Sequence, residues 1–427
     1  MYIALGADTE FHPEFIPPFK KSMAFLVRKG SEGFHSCEER DMSEKRGKAL
    51  NVVEKYYKDY GLRAKELKKK GEKIIGYICS FVPLEIVAAA GCIPFRVRGD
   101  VNEPITKGDT LLETIVCPYY RSCFDLSVKQ KYDFLSGMVI PHGCDSMVRS
   151  YSAWSYSLPY PYFHFIDIPT VCGESSSEFF EAELNTFRKS LEKLAGKAIT
   201  DDDLAKAIRA YNENRDKVRA LYEFRKADPP LISGTELTMV LTVGSSLAVD
   251  EFNTLLDQVS TEIGKRKKSP LKKGPRILID GACLDHIGLI KLVEEIGGNV
   301  VADTICNGAR DYFPRTDEGG DPIRALADRY LDKINCPKTY RENKAGTFEG
   351  DITSRFGDIG AYAREFKVDG AILYLYKYCD PFGFEVPARK AYYKSVNVPL
   401  LHLEDIYSAG TIGQLRTRIQ AFLEMIG

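Results

Sequence analysis

Eleven of the 427 residues are cysteines, and five of these share one setting. Cys79 closes the apolar run Lys73-Ile-Ile-Gly-Tyr-Ile-Cys79, Cys144 follows Gly137-Met-Val-Ile-Pro141, and Cys283 follows Arg276-Ile-Leu-Ile-Asp280. Cys306 follows Asn299-Val-Val-Ala-Asp-Thr-Ile305, and Cys379 follows Gly370-Ala-Ile-Leu-Tyr-Leu-Tyr376. Each run is β-branched and apolar and reads as a strand. In open α/β sheets ligands bind in the crevice beyond the carboxyl ends of the strands. A thiol placed there repeatedly stands where a cofactor would sit, and soft thiolates select iron–sulfur clusters, zinc or copper(I). Cys117-Pro-Tyr-Tyr-Arg-Ser-Cys123 is the densest local group. Its spacing is neither that of a zinc ribbon nor that of a ferredoxin. Any ligand set must therefore be gathered by the fold.

The elements that would gather it alternate. Strands are expected over 73–79, 94–97, 134–140 and 161–167, with helices at 83–90 and around 119–131. After a helical stretch from 174 to about 264, a second alternating block has strands over 276–281, 298–305, 368–376 and 398–404 and a closing helix at 412–426. Such alternation predicts α/β architecture, two Rossmann-like parallel-sheet domains joined by a helical segment. The expected boundaries are an N-terminal arm and helix over 1–71, a first α/β domain over 72–173, a helical segment and basic linker over 174–274, and a second α/β domain over 275–427. Within the arm, 1–36 is irregular, broken by His12-Pro13 and Pro17-Pro18, and a charged helix runs from about Glu38 to Lys70.

Fifty-nine Lys and Arg against 60 Asp and Glu leave no polyanion-seeking excess, so no nucleic-acid partner is expected. No apolar stretch approaches the roughly 18 residues of a membrane span. The opening Met1-Tyr-Ile-Ala-Leu-Gly-Ala-Asp8 does not read as a signal peptide. A cytoplasmic protein is expected, and in that reducing compartment metal binding or redox chemistry is a better use of cysteines than disulfides. Phosphate-loop, dinucleotide-fingerprint, zinc-helix and nucleophile-elbow motifs are absent.

Several segments together resemble the 2-hydroxyacyl-CoA dehydratase and benzoyl-CoA reductase family. They are Gly76-Tyr-Ile-Cys-Ser-Phe-Val-Pro-Leu-Glu through Ile93-Pro94, Cys117-Pro-Tyr-Tyr-Arg-Ser122, Val139-Ile-Pro-His-Gly-Cys-Asp145, Asp369-Gly-Ala-Ile-Leu through Lys377-Tyr-Cys-Asp-Pro381, and Gln414-Leu-Arg-Thr-Arg-Ile-Gln-Ala-Phe-Leu-Glu424. The resemblance runs in order over roughly 72–427. It implies the electron-accepting component of a two-component system, fed single low-potential electrons by a separate dimeric ATPase activator with its own 4Fe–4S cluster. In the dehydratases three cysteines hold a 4Fe–4S cluster in each subunit, and Cys117, Cys144 and Cys379 match them. There, one-electron reduction of a 2-hydroxyacyl-CoA gives a ketyl radical that expels the hydroxyl group. A double-cubane branch, which forms homodimers, holds an 8Fe–9S cluster through three further cysteines, and Cys79, Cys306 and Cys336 occupy motif positions suited to that role.

The resemblance thus implies an iron–sulfur reductase component with a double cubane, acting on a small substrate as a homodimer. Its alternative is a subunit of a heterodimeric acyl-CoA dehydratase or benzoyl-CoA reductase-type enzyme with one 4Fe–4S cluster. Cys79 and Cys306 would crowd the crevice as unpaired thiolates unless a second metal unit neutralised them, although neutral thiols also pack easily. His142 reads as a proton donor to substrate or a hydrogen-bond donor to a cluster, or as a buried structural histidine. Arg121 and Lys377 read as cations beside the cluster or as solvated residues. Cys123 and Cys283 are spare thiols, and Cys37, Cys92 and Cys172 are read as inert. The basic run Lys265–Lys273 is a solvated linker, or a contact for CoA phosphates or for the activator.

Overall fold

The computed structural model describes residues 47–343 and 346–427, so the expected arm over 1–36 and Cys37 lie outside the described residues. The charged stretch that follows is two helices, α1 (Lys48–Lys58) and α2 (Leu62–Lys69). Tyr60 breaks them by turning inward, its hydroxyl donating to the Arg96 carbonyl at 2.8 Å.

Eight strands among the described residues make two four-stranded sheets. The first comprises β1 (Ile74–Tyr77), β2 (Ile93–Arg96), β3 (Gly137–Pro141) and β4 (Phe163–Ile166), ordered β2-β1-β3-β4. The second comprises β5 (Arg276–Gly281), β6 (Asn299–Asp303), β7 (Gly370–Tyr376) and β8 (Leu400–Asp405), ordered β6-β5-β7-β8. Every pairing is parallel. The central strands β1, β3, β5 and β7 are buried along their whole length. That is why they read as continuous apolar runs rather than alternating ones. The expected α/β architecture is present, and the two sheets share one layout. In each the strand order reverses beside the central strand, between β1 and β3 and between β5 and β7, which is where such sheets open a ligand crevice.

The inner faces of the two sheets contribute to one apolar core, with Ile74, Met138 and Ile140 from the first and Ile277, Ile279 and Ile372 from the second. Helices α3 (Leu84–Ala89), α4 (Pro118–Val128) and α5 (Asp145–Ser157) belong to the first half. No helix is expected from the sequence between the third and fourth strands, where α5 lies. Its Ser-rich sequence is a poor helix former, yet Met147, Ser150 and Trp154 recur at helical spacing and are buried. Tertiary packing, with Trp154 against Tyr120 and Phe124, overrides the propensity.

The helical stretch is α6 (Glu174–Ala195), α7 (Asp201–Glu223), α8 (Gly234–Gly244) and α9 (Val249–Gly264). A capping box between Thr200 and Asp203 starts α7, as its acidic opening predicts. These helices divide between the sheets. Helix α6 and the first half of α7 pack on the first sheet, while the second half of α7 packs with α1, α8 and α9 on the second. Beyond β5 and β6 come α10 (Gly288–Glu295), α11 (Ala309–Tyr312), α12 (Pro322–Ala327) and a π-helical turn, Asp328–Lys333. Although it follows β6 in sequence, the segment from α12 to Cys336 packs into the core formed by the first sheet, α6 and α7. Helices α13 (Phe348–Glu365), α14 (Asp380–Ser395) and α15 (Ile412–Ile426) complete the described fold. Within the basic run, Arg266 is held by both Glu236 carboxylate oxygens at 2.7 and 2.9 Å, and Lys267, Lys268, Lys272 and Lys273 are exposed. No helix among the described residues is long and apolar enough to cross a membrane.

Candidate functional site

Three cysteines occupy equivalent positions, each the residue that opens a helix. Cys117 opens α4, Cys144 opens α5 and Cys379 opens α14. A helix N-terminus presents unpaired backbone N–H groups and favours negative charge. Here those groups are turned on sulfur. The N–H groups of Tyr119 and Tyr120 act on Cys117, those of Met147 and Ser146 on Cys144, and that of Phe382 on Cys379. The three thiols lie within electrostatic reach of one another, since Cys117 and Cys144 both push the Cys379 thiol up and Cys117 does the same to Cys144. Burial is the larger cause, and it raises Cys117 to about 11 and Cys144 to about 12. Without a metal, these are neutral thiols.

Cys79, Cys306 and Cys336 form a second set. Burial, then the Cys306 and Cys336 thiols, push Cys79 well above its ordinary value. Burial, then Cys306, raise Cys336 to about 11. Cys79 lies just past β1 and Cys306 just past β6, whereas Cys336 follows the π-helical turn. A buried ion-pair network fixes the relation between the first and last of these loops. Glu85 in α3 accepts from Arg215 of α7 at 2.5 Å and from the Tyr330 hydroxyl of the π-helical turn at 2.8 Å. The two sets adjoin, because Cys306 also raises the Cys379 thiol. Gly143 packs between them, and a Cβ there would sit 3.0 Å from Cys79 Sγ. Only a residue without a side chain lets the loop bearing Cys144 come so close.

The surroundings add residues that the sequence reading does not single out. Arg310 Nη1 donates to Cys306 Sγ at 3.2 Å, while the same guanidinium holds the carbonyls of Gly281 and Asn335 at 2.9 and 3.0 Å. Arg355 donates to the Cys336 carbonyl. Lys338 is buried, donates to the Ile168 carbonyl at 3.0 Å, and has its pKa lowered by burial against the opposing pull of Asp167, Cys336, Cys79 and Cys144. Arg310 stands four residues beyond Cys306 and Lys338 two beyond Cys336, so sequence proximity to a candidate ligand was the available signal.

His142 is half-exposed beyond β3, with Nδ1 2.7 Å from an Asp167 carboxylate oxygen and its ring stacked on Phe165. Among the described residues no hydrogen bond joins it to a cysteine. Arg121 pairs with Asp109 and still lowers the Cys117 thiol, and Lys377 is exposed. Lys377, Tyr378, Cys379, Asp380, Phe384 and Glu404 line an open cavity of about 440 Å³ beside the first set. Cys283 is buried with Arg96 donating to its sulfur at 3.7 Å, and Cys123 is buried with its sulfur 3.9 Å from the Val97 carbonyl. Cys92 lies in the core and Cys172 donates to the Leu331 carbonyl. All ten described cysteines are unpaired. Among the described residues no three His, Cys, Asp or Glu side chains converge on one point, the geometry that a single zinc ion requires.

The family model "2-hydroxyglutaryl-CoA dehydratase, D-component" matches residues 79–426. The chain belongs to this family. It is 28% identical to the (R)-phenyllactyl-CoA dehydratase beta subunit of Clostridium sporogenes over 85% of this chain and 94% of that one. A benzoyl-CoA reductase subunit of Thauera aromatica is 26% identical over 87% of this chain and 96% of its own length. The beta subunit of (R)-2-hydroxyglutaryl-CoA dehydratase from Acidaminococcus fermentans is 23% identical over 84% and 94%. The match begins at Cys79 itself, and all six cysteines of the two sets lie within the matched range.

Proposed function

We propose that the chain is the electron-accepting component of an ATP-activated iron–sulfur reductase, with an 8Fe–9S double cubane held by Cys79, Cys117, Cys144, Cys306, Cys336 and Cys379. The observation that carries this reading is the division of six thiols into two adjoining sets of three. The donor chemistry fits, because soft thiolates with N–H and guanidinium donors on sulfur are what such clusters use. When bound, the cluster would supply single low-potential electrons. The chain's own residues do the rest. Helix N-termini stabilise one set of thiolates and Arg310 stabilises the other, while burial limits water. The cavity beside Cys379 would take a small substrate, and half-exposed His142, paired with Asp167, would serve as its proton donor. The chain shows no phosphate loop, so ATP hydrolysis belongs to a separate dimeric activator carrying its own 4Fe–4S cluster, and the component itself is a homodimer.

A second reading rests on the names of its relatives. As a dehydratase or benzoyl-CoA reductase-type subunit, the chain would pair with an unlike subunit, act on an acyl-CoA, and hold a single 4Fe–4S cluster through Cys117, Cys144 and Cys379. Iron content of anaerobically reconstituted protein separates the two, at about eight against about four irons per chain. Under the first reading Cys306→Ala and Cys336→Ala each lower the iron content, and Cys283→Ala leaves it unchanged. About four irons in the wild-type chain would sink the double-cubane assignment.

A further inference from the structure

The two sets of thiols differ in the balance of charge set against them. Cys117, Cys144 and Cys379 face backbone N–H groups, which carry partial charges, together with Arg121 and the opposing carboxylate of Asp380. Cys79 and Cys336 also meet backbone N–H groups, those of Phe81 and Lys338, but the set of Cys79, Cys306 and Cys336 has more whole positive charges against it. Arg310 touches the Cys306 sulfur. Arg355 reaches the Cys336 carbonyl, Arg96 lies within electrostatic reach of Cys79, and Lys338 lies within reach of Cys336 and Cys79 first and of Cys144 of the other set after them. Arg355 is paired with Glu385 at 2.8 Å, whereas the carboxylates nearest Arg310 and Lys338 are engaged elsewhere. Asp280 lies 4.0 Å from Arg310 Nη2, but Arg389 covers both its oxygens at 2.7 and 2.8 Å. Asp167, which attracts Lys338, is taken by His142.

Arg310 is also built to stay. Its side chain is 4% exposed, its guanidinium spans three acceptors, and it lies 4.9 Å from the centre of the Phe382 ring. A guanidinium is always charged and keeps its fork rigid. A fixed cation in hydrogen-bond contact with a thiolate favours whichever state carries more negative charge, and burial leaves that effect poorly screened.

We propose that Arg310 is a positioning residue that makes the two halves of the site unequal, so that an added electron rests on the half held by Cys79, Cys306 and Cys336. The half held by Cys117, Cys144 and Cys379, which borders the open cavity, then passes the electron on. The proposal deepens the double-cluster reading and rests on it. Reduction adds one electron from a low-potential donor and breaks no bond.

The test is an anaerobic redox titration of the full reconstituted chain with Ti(III) citrate, followed by paramagnetic resonance, with iron content measured on each sample. Arg310→Gln should make the first reduction about tenfold less favourable, a downward shift of about 59 mV for one electron. Arg310→Lys should restore most of it. Asp380→Asn should move the first reduction by less than a third of the Arg310→Gln shift. Equal shifts from Arg310→Gln and Asp380→Asn, or no shift from Arg310→Gln, would overturn the proposal while leaving an eight-iron site intact. If Arg310→Gln does not take up the full iron complement, Lys338→Gln is read in its place, with the same expected direction. An unmoved potential in that variant overturns the proposal equally. About four irons in the wild-type chain would instead remove the double-cluster reading, and this proposal with it.

Discussion

Replacing Gly143 by alanine adds a single methyl group to the site. The new Cβ would lie 3.0 Å from Cys79 Sγ and 3.0 Å from Met147 Sδ. Relaxed contacts between such atoms are about 3.5–4.0 Å, so roughly half an ångström or more of overlap must be relieved on two sides. Met147 lies on the first turn of α5 and is a flexible thioether that swings aside cheaply. Cys79 has a short side chain two residues past the wholly buried strand β1 and has little freedom. With one side relieved and the other strained, the metal-free chain should lose about 1–2 kcal/mol, towards the lower end of overpacking costs. That is roughly a five- to thirtyfold change in the folded-to-unfolded ratio. Urea denaturation should show a lower midpoint at unchanged slope. Reconstitution should show the larger effect, because displacing Cys79 removes one of three thiolates from its half, and iron should fall from about eight towards about four per chain. Full iron content together with an unmoved urea midpoint would refute the close approach of the Cys144 loop to Cys79.

Glu85→Ala should destabilise the chain by about 3–5 kcal/mol, because it strands the buried Arg215 without its partner. Chemical denaturation measures this, and a loss below about 1 kcal/mol would mean that the Glu85 network does not tie α3 to the π-helical turn. His164, on the edge strand β4 and beside Phe187, is pushed down from 6.5 to about 4 by burial. Its folded pKa is depressed, so the unfolded chain binds the proton first. The associated stability is whole above pH 6.5 and is lost as the pH falls through 4, by about 3 kcal/mol in total. His164→Phe should flatten the stability profile between those two values, and an unchanged acid slope would count against the burial of this ring.

How far the site could be read from the chain follows from which interactions are local. The apolar runs ending in Cys79, Cys144, Cys306 and Cys379 declared both the strands and their thiols, because a strand buried on both faces must be apolar throughout. The acidic opening of α7 declared its cap. Helix α5 did not declare itself, since its serines argue against a helix that only the Trp154 packing sustains. That Cys117, Cys144 and Cys379 all open helices follows from the boundaries of α4, α5 and α14, and the Pro residues after Cys117 and Asp380 already hinted at two of them.

The meeting of Cys336 with Cys79 belongs to the tertiary structure. These residues are far apart in sequence, and neither has a local pattern that points to the other. Their meeting depends on α12 and the π-helical turn packing into the core of the first sheet, where Tyr330 reaches Glu85. The same holds for Arg310 and Lys338, whose types and spacing look like those of ordinary surface cations until burial and fixed acceptors give them their roles. Periodicity and local propensity are written into neighbouring residues, so sequence alone determined the two sheets and the thiols at their ends. The division of those thiols into two sets, and the charges around each, arise from long-range packing, which only the folded chain decides.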